Sequence, residues 1–570
     1  MMRKRSKKRQ RESRPVFETI EQIRSYVKSA IRKYLEGECG KGLPREERKK
    51  YEGQIQQLRY ALRACVYGDG GEKAYVKHFI MRELQGLHLS LGERERLFPV
   101  GIPDRLTSKQ KFDILLYYYM KQYGKEGFMQ LCAAHCLPGQ VQREDGIYYE
   151  ITEEDIRQIY EKESPVLNSR DVWELLCDEI YEGFGHGIID RLRDCQLEGI
   201  SGGVSGWPEH FFRYENEVQG DFTGNHAYDS VFVMIHGITV RLSFLSFGSE
   251  QELRRVIKAL LRYEALGELS YYNPYMVNDM KDGSRVFACR PPFSETWAFF
   301  IRKFDCTEEK KPEELLLGEG AEEVIEALKY FVGGGLHIAI SGAQSSGKTT
   351  LLKALVRYIN PKYNLRIEES VFELWMRKEF PKRNILTFRE TESVDATEGL
   401  DAFRKTDGNC LMMGEVGSIS AASLMIELSQ VSEQQLFTHH AMSTDKLLGY
   451  FKNALLRTGT YSDERMAKEQ VIQALDIHVL CEKDLQGNRY VKEIAEINGK
   501  EEAGARVLYR YEHGRYVKAG RPTEALLRRL TEQMGTEERE KVRLFFERGV
   551  ERDLVRNTDA VCCSSSNHRV

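Results

Sequence analysis

The sequence predicts an α/β protein whose second half is a doubly wound parallel sheet carrying a phosphate-binding loop. From about residue 313 onward, short apolar segments alternate with helical patterns, as in a series of β-α-β units. The apolar segment 338–340 is followed, after Ser341, by G-A-Q-S-S-G-K-T, which fits the pattern G-x-x-x-x-G-K-[ST]. Before residue 306 the strand and helix patterns are grouped differently, as in an α+β domain that follows a helical extension.

The first fourteen residues are predicted to be a basic disordered tail. They contain eight Lys or Arg residues and one acid, although the whole chain of 570 residues has a net charge of −3. That balance gives no sign of a polyanion-binding protein, and no direct nucleic-acid partner is expected. Two interpretations of the tail stay open, namely peripheral contact with anionic lipid headgroups and a solvated tail.

Residues 15–165 are predicted to form the helical extension. Apolar residues recur there at helical spacing in 20–34, 51–66, 73–86, 108–123 and 153–163. Cys132, His135 and Cys136 cluster, but further metal ligands are not evident nearby, so buried helix residues are expected rather than a zinc site.

The composition indicates a cytosolic protein. No window approaches the roughly eighteen apolar residues of a membrane-spanning helix, and no apolar segment of a secretory signal follows the basic N-terminus. Twelve scattered cysteines in a long chain with 41% hydrophobic residues favour reduced thiols over a disulfide framework.

The rest of the chain divides into an α+β domain (166–306), a linker (307–318), a P-loop domain (319–507) and a C-terminal piece (508–570). The α+β domain is predicted to contain two short helices in 168–194, a glycine-rich loop at 198–225, a hairpin at 231–242, a helix after a capping box at 249–252, and strands at 284–289 and 297–303. Strands of the P-loop domain are predicted at 336–341, 365–367, 385–388, 410–413, 436–438, 478–481 and 491–497. A hairpin at 509–517, two helical runs and a polar tail follow.

The phosphate loop predicts binding of ATP with Mg²⁺. Its glycines let backbone N–H groups converge on anionic oxygens, and the following helix adds the positive end of its dipole. Lys348 is expected to reach the β- and γ-phosphates, and the Thr349 hydroxyl to ligate Mg²⁺. The alternative is a chance strand-to-helix turn. The predicted nucleotide-binding residues are Gly342, Ala343, Gln344, Ser345, Ser346, Gly347, Lys348, Thr349 and Thr350.

Three further groups follow predicted strands and are candidate catalytic residues. Glu415 ends an apolar strand at the Walker B position, where it would orient the attacking water and help to hold Mg²⁺. Glu368 and Glu369 follow a second strand, and His440 follows a third, so all would lie at the carboxyl edge of the sheet. Taken alone, each group also fits a solvated turn or a surface position.

From residue 171 to 497 the chain resembles the secretion-type traffic ATPases of type II secretion, type IV secretion and type IV pilus machines. Within that family it looks most like the subgroup for tight-adherence (Flp-type, Tad) pilus assembly. The resemblance is carried in order by 172–189, 282–286, 291–292, 301–304, the phosphate loop, 367–369 as the aspartate box, 414–416 as Walker B, 438–443 as the histidine box and 470–497.

The resemblance implies a RecA-like P-loop motor domain behind a smaller N-terminal domain, with nucleotide between the two. Arg285 and Arg302 would then approach the phosphates as arginine fingers. It also implies a homohexamer that docks on an inner-membrane platform protein and acts indirectly on pilin-like or secreted substrates. Three positions depart from the family: Gly417 replaces a frequent Arg, Glu369 replaces Asp in a longer aspartate box, and 199–206 replaces an apolar segment.

The predicted function is therefore a cytoplasmic ATP hydrolase, peripheral at the inner face of the cell membrane, that powers pilus assembly or protein secretion. Alternatives are a nucleotide-gated assembly or regulatory subunit with little hydrolysis, a DNA-translocating relative, and a small-molecule kinase. The kinase would need a lid, and no lid-like Arg-rich insert follows the predicted strands.

Overall fold

The computed structural model describes residues 17–38, 44–143, 146–208, 225–264, 267–304, 310–391, 394–403, 405–484, 487–501, 504–532 and 534–548. The chain divides into two compact units, residues 1–306 and 307–570. The predicted basic tail 1–14 and the polar tail with Cys562 and Cys563 lie outside the described residues.

The described part of the first unit contains ten α-helices and eight strands. The helices are α1 (Ile20–Leu35), α2 (Arg45–Ala64), α3 (Gly70–Gly86), α4 (Leu91–Leu97), α5 (Ser108–Tyr123), α6 (Gly127–Ala134), α7 (Glu153–Glu163), α8 (Ser169–Tyr181), α9 (Asp190–Asp194) and α10 (Glu250–Leu260). The strands are β1 (Gly139–Arg143), β2 (Gly146–Ile151), β3 (Gly199–Gly202), β4 (Val231–Ile235), β5 (Ile238–Leu242), β6 (Tyr275–Asp279), β7 (Arg285–Cys289) and β8 (Ala298–Arg302).

The eight strands form one sheet in the order β1-β2-β5-β4-β3-β8-β7-β6. Every pairing is antiparallel except the short parallel contact between β2 and β5. A single apolar core joins this sheet to α5, α7 and α10, through residues such as Phe112, Ile156 and Leu253. A second core lies among α1, α2, α3 and α8.

Two expectations for this unit are corrected by the structure. Residues 15–165 are not helical throughout, because β1 and β2 form a hairpin there. Part of the stretch expected to be a loop, Gly199–Gly202, is the central strand β3. Its glycines serve close packing, since a Cβ on Gly202 would lie 2.7 Å from Cε1 of Phe299.

The described part of the second unit contains ten α-helices and nine strands. The helices are α11 (Pro312–Leu315), α12 (Ala321–Gly333), α13 (Lys348–Leu355), α14 (Met376–Glu379), α15 (Ala396–Phe403), α16 (Ile419–Leu428), α17 (Thr444–Arg457), α18 (Glu464–Ala474), α19 (Glu524–Thr531) and α20 (Thr536–Glu547). The strands are β9 (Ile338–Gly342), β10 (Leu365–Glu369), β11 (Ile385–Arg389), β12 (Cys410–Met413), β13 (Gln434–His439), β14 (Ile477–Lys483), β15 (Arg489–Ile497), β16 (Ala505–Glu512) and β17 (Arg515–Lys518).

The nine strands form a sheet in the order β11-β10-β12-β13-β9-β14-β15-β16-β17. Strands β9 to β14 are parallel, and β15, β16 and β17 continue the sheet as antiparallel strands. Helices cover both faces, because Ile338 and Ile340 face one apolar core whereas Ala339 faces another. The predicted doubly wound α/β fold is therefore confirmed, and the predicted C-terminal hairpin extends its sheet.

None of the helices within the described ranges is both long and apolar enough to cross a lipid bilayer.

Near the cluster of Cys132, His135 and Cys136, Nε2 of His135 lies 2.9 Å from Oε1 of Glu163. Among the residues that the structure describes, no group of three or more His, Cys, Asp or Glu side chains is arranged to hold a metal ion.

Candidate nucleotide-binding site

The predicted site residues of the second unit lie at one edge of its sheet. The parallel strands β9, β10, β12 and β13 all end there, and their register places Ser341 beside His439 and Glu368 beside Met413. Loops leaving these ends carry the phosphate loop, Glu415 and His440. The carboxyl edge of a parallel sheet is the usual place for a ligand in such folds.

Two glycines give the phosphate loop its backbone path. A Cβ on Gly342 would lie 2.1 Å from the carbonyl oxygen of Cys481 in β14, so only glycine permits this approach. Gly347 precedes α13 with a φ of +91°, in the left-handed region. Ser345 also has a positive φ of +60°, which is uncommon for a residue with a side chain.

The loop presents polar groups suited to an anion. As the residue before α13, Gly347 supplies no side-chain cap to the first N–H groups of the helix. The Ser346 side chain is 2% exposed, and its Oγ has no hydrogen-bond partner within the described residues. A buried hydroxyl without a partner is unfavourable, so Ser346 fits a site whose ligand supplies that partner. The loop therefore fits a phosphate group.

Lys348 is buried under the loop and turns its ammonium group back onto the backbone. Its Nζ donates to the carbonyl oxygens of Gly342 and Ala343, at 3.1 and 2.9 Å. It also lies 3.3 Å from Nδ1 of His440. The ammonium group therefore sits at the phosphate loop and touches the residue predicted from the histidine box.

His440 links Lys348 to Glu415. Its Nε2 lies 3.2 Å from Oε1 of Glu415. An ammonium group has no lone pair to offer, so Nδ1 of His440 accepts from Lys348 and Nε2 carries the proton that faces Glu415. The structure thus brings three of the predicted residues into one contact chain.

Glu369 is a buried acid that organises the loop after β10. Its Oε1 accepts hydrogen bonds from the backbone N–H groups of Glu373 and Leu374, at 3.0 and 2.9 Å. Burial raises the pKa of the carboxyl group to about 7, although these two bonds act in the opposite direction. Glu369 therefore fixes the backbone of the loop that follows β10.

Glu368 points elsewhere and is almost completely buried, with 1% of its surface exposed. Neither carboxyl oxygen has a hydrogen-bond partner within the described residues. One of them would lie 2.1 Å from a Cβ on Gly399, so the side chain presses against α15. Burial and the nearby Glu390 raise its pKa to about 8.

The predicted magnesium ligands Thr349 and Glu415 offer a hydroxyl and a carboxylate, which are oxygen donors of the kind that Mg²⁺ prefers. Thr349 lies in the first turn of α13 and is partly buried, as is Thr350. The Glu415 side chain is 49% exposed. These donors fit a metal ion that keeps most of its ligands as water and phosphate oxygens.

In the first unit, Arg285 and Arg302 lie directly opposite each other on the antiparallel strands β7 and β8. Cross-strand partners point to the same face of a sheet, so the two guanidinium groups are neighbours. Arg285 pairs with Asp279 at 3.4 Å, and Arg302 lies over the ring of Phe304 at 5.7 Å. Their predicted action on phosphates stays a prediction.

Two residues near the loop carry no predicted role. Arg489 begins β15, and its Nε donates to the carbonyl oxygen of Ser345 at 3.0 Å. His478 in β14 lies 2.6 Å from Oγ of Ser341, the residue before the loop. No local pattern reveals either contact, because the partners are 144 and 137 positions apart in the chain.

Comparisons with known proteins were made by sequence and by structure. No protein-family model matches the chain. It is 27% identical over 211 residues to MJ0900, an uncharacterized protein of Methanocaldococcus jannaschii, and the match covers 36% of this chain and 37% of that relative. The chain thus spans little more than a third of the length of this relative.

Three solved structures are similar over about half of the chain. The VirB11 ATPase of the Brucella suis type IV secretion system, in complex with sulphate, is 17% identical, with 53% of this chain and 89% of that chain covered and a TM-score of 0.28. The Legionella pneumophila ATPase DotB is 15% identical, with 55% and 81% covered and a TM-score of 0.40. The pilus retraction motor PilT with bound ADP is 12% identical, with 59% and 83% covered and a TM-score of 0.36.

Proposed function

We propose that this protein hydrolyses ATP, and that the hydrolysis powers pilus assembly or protein secretion at the inner face of the cell membrane. The observation that supports ATP hydrolysis most directly is the contact chain from Lys348 through His440 to Glu415. It joins the cation of the phosphate loop to the acid at the end of β12. A site built only to hold phosphate has no need of that acid.

The proposed reaction transfers the terminal phosphoryl group to water, so catalysis consists of positioning and charge stabilisation. The loop holds the phosphates through its N–H groups, the Ser346 hydroxyl and the Lys348 ammonium group. Glu415 orients the attacking water and accepts its proton, while His440 fixes the direction of the Glu415 carboxylate. Mg²⁺, held by Thr349 and Glu415, would neutralise negative charge on the phosphates.

Further proposals rest on the resemblance of the sequence to secretion-type traffic ATPases. Arg285 and Arg302 are proposed to donate to the phosphates in the transition state. The chain is proposed to act as a cytoplasmic homohexamer on an inner-membrane platform protein, with pilin-like or secreted proteins as indirect substrates. The tight-adherence pilus pathway is the proposed setting.

Steady-state phosphate release by the purified full chain tests the reaction. We expect Mg²⁺-dependent release of phosphate from ATP and loss of both binding and release in Lys348→Ala, because that change removes the ammonium group under the loop. Wild-type protein that binds ATP with Mg²⁺ but releases no phosphate would contradict the proposal.

That negative outcome would support a second candidate function, a nucleotide-gated assembly or regulatory subunit. One observation favours it: the pKa values of Glu368 and Glu369 are raised to about 8 and about 7, so neither acid is fully ionised at neutral pH. Phosphate release stimulated by DNA would instead favour the DNA-translocating alternative.

A further inference from the structure

His478 is a buried polar residue that the proposed reaction does not use. It lies in β14 next to β9, and 1% of its surface is exposed. Burial, with a smaller contribution from His439, lowers its pKa to about 3. The ring is therefore neutral at every pH at which the protein would work.

Both ring nitrogens of His478 contact hydroxyl groups. Nε2 lies 2.6 Å from Oγ of Ser341, and Nδ1 lies 2.8 Å from Oγ1 of Thr444. A neutral imidazole has one N–H and one lone pair, so it donates to one hydroxyl and accepts from the other. The three side chains form a polar bridge in which each ring nitrogen has a hydroxyl partner.

Each end of this bridge is adjacent to a part of the proposed site. Ser341 immediately precedes Gly342, the first residue of the phosphate loop. Thr444 is the first residue of α17, four positions after His440. The bridge therefore spans from the base of the loop that holds Lys348 to the segment that holds His440.

A second contact set ties the His440 segment to the end of β12. Nδ1 of His439 lies 2.8 Å from the carbonyl oxygen of Val416, and its ring lies 4.3 Å from that of Tyr450 in α17. The parallel pairing of β9 with β13 already places Ser341 beside His439. The bridge through His478 adds a second tie, from the base of the phosphate loop to the start of α17 on the other side of His440.

We propose that His478 is a positioning residue for ATP hydrolysis: through Ser341 and Thr444 it sets the distance between Lys348 and His440, and through His440 the direction of the Glu415 carboxylate. The inference rests on the proposed function. It predicts that breaking the bridge lowers kcat while nucleotide binding persists, because the N–H groups of the phosphate loop stay in place.

The test compares His478→Leu and His478→Gln in the full chain. Leu removes both hydrogen bonds, and we expect kcat for ATP to fall at least about tenfold while the Kd for a fluorescent ATP analogue changes less than about threefold. Gln carries one amide donor and one acceptor, so it should restore most of the kcat. Phosphate release and analogue fluorescence provide the two readouts.

A triple variant, Ser341→Ala, Thr444→Val and His478→Leu, distinguishes a positioning role of His478 from a merely structural one. Removing all partners together leaves no unpaired hydroxyl, so the Tm should return close to that of the wild type. We expect kcat to stay low. Recovery of kcat together with Tm would overturn the inference, and so would wild-type kcat in His478→Leu.

The matched control is His337→Leu. His337 is also buried, with 3% exposure, and burial likewise lowers its pKa to about 3. It lies at the opposite end of β9 from the phosphate loop. A fall in Tm without a change in kcat is expected. Wild-type protein that shows no turnover would overturn the proposed function, and this inference with it, whereas normal turnover in both wild type and His478→Leu overturns this inference alone.

Discussion

Glu415 and His440 form a hydrogen-bonded pair in which each side chain keeps nearly half of its surface exposed, 49% and 42%. A pair with this exposure adds little to the free energy of unfolding, about 0–1 kcal/mol. The pair matters because it holds a carboxylate beside the proposed phosphate-binding loop. Changes at these residues should therefore alter turnover far more than stability.

Glu415→Gln removes the carboxylate that is proposed to accept a proton from water but keeps the shape of the side chain. We expect ATP binding to persist and phosphate release to fall about a hundredfold or more. Glu469→Gln, which changes an exposed acid on α18, is the control and should release phosphate at the wild-type rate. Normal turnover in Glu415→Gln would contradict the assignment.

Glu368 gives a prediction about pH. Because its pKa is raised to about 8 in the folded protein, the folded state keeps a proton that the unfolded state loses above the usual pKa of 4.5. Stability should therefore fall as pH rises between those two values. Glu368→Gln removes this titration, so its Tm should exceed that of the wild type by a few degrees at pH 8, and by less at pH 5.5.

Thermal unfolding at the two pH values measures that difference, with Glu469→Gln as the control whose Tm should follow the wild type. If the Tm difference between Glu368→Gln and the wild type is the same at both pH values, the buried carboxyl group does not titrate in this range.

The loop residues and Glu415 could be placed from the sequence because each follows a recognisable apolar strand. Glu368 and Glu369 were expected just after such a strand and are instead the last two residues of β10. Nothing in the sequence indicated that His440 bridges Lys348 and Glu415, which depends on the order of β9, β12 and β13 in the sheet. The contact between Arg489 and Ser345 likewise depends on β15 lying near the loop, and local spacing carries no such information.

The parallel strands of the second unit were predictable because each contains a short apolar run, and β12 was placed with its observed bounds. The start of β13 was missed because it begins with Gln434 and Gln435. In the first unit, β3 and the hairpin of β1 and β2 escaped prediction for opposite reasons. β3 is rich in glycine because large neighbours such as Phe299 fill its space. In the hairpin, β1 is polar apart from Val141, and β2 carries Tyr148 and Tyr149 side by side, so neither strand shows a regular alternation of apolar and polar residues.

Gly342→Ala tests the strand-to-loop junction. The new Cβ would meet the carbonyl oxygen of Cys481 in β14 at 2.1 Å, so β9 and β14 must separate or the loop must shift. We expect a loss of about 2 kcal/mol or more in the free energy of unfolding, with loss of ATP binding. Urea unfolding and analogue binding measure the two effects.

The control is Gly449→Ala in α17, where a Cβ meets nothing within 4 Å. Alanine is the better helix former, so this variant should be as stable as the wild type or slightly more stable. A Gly342→Ala protein with wild-type stability and binding would show that the junction tolerates a side chain.

For the whole molecule, Arg285→Ala and Arg302→Ala test whether the first unit takes part in the reaction. If their guanidinium groups stabilise the transition state, kcat should fall by about tenfold or more, with little change in the Kd for ATP. Lys258→Ala removes an exposed cation from α10 of the same unit and serves as the control. Equal kcat values for all three variants and the wild type would confine the reaction to the second unit.

The proposed homohexamer has a measurable mass. Light scattering of the purified chain with a non-hydrolysed ATP analogue and Mg²⁺ should give about six times the 66.0 kDa of one chain. A mass equal to that of one chain under all nucleotide conditions would contradict the hexamer, but it would not contradict the proposed nucleotide-binding site in the second unit.

The ammonium group of Lys348 already has acceptors, the carbonyl oxygens of Gly342 and Ala343. An incoming anion must therefore exchange with these dipoles instead of meeting an unsatisfied charge. A weak anion such as chloride gains little by that exchange, whereas a polyphosphate, with several negative oxygens, gains charge-assisted bonds from the lysine and the loop together. We therefore expect the loop to bind small anions such as chloride weakly and to favour ligands of high charge density.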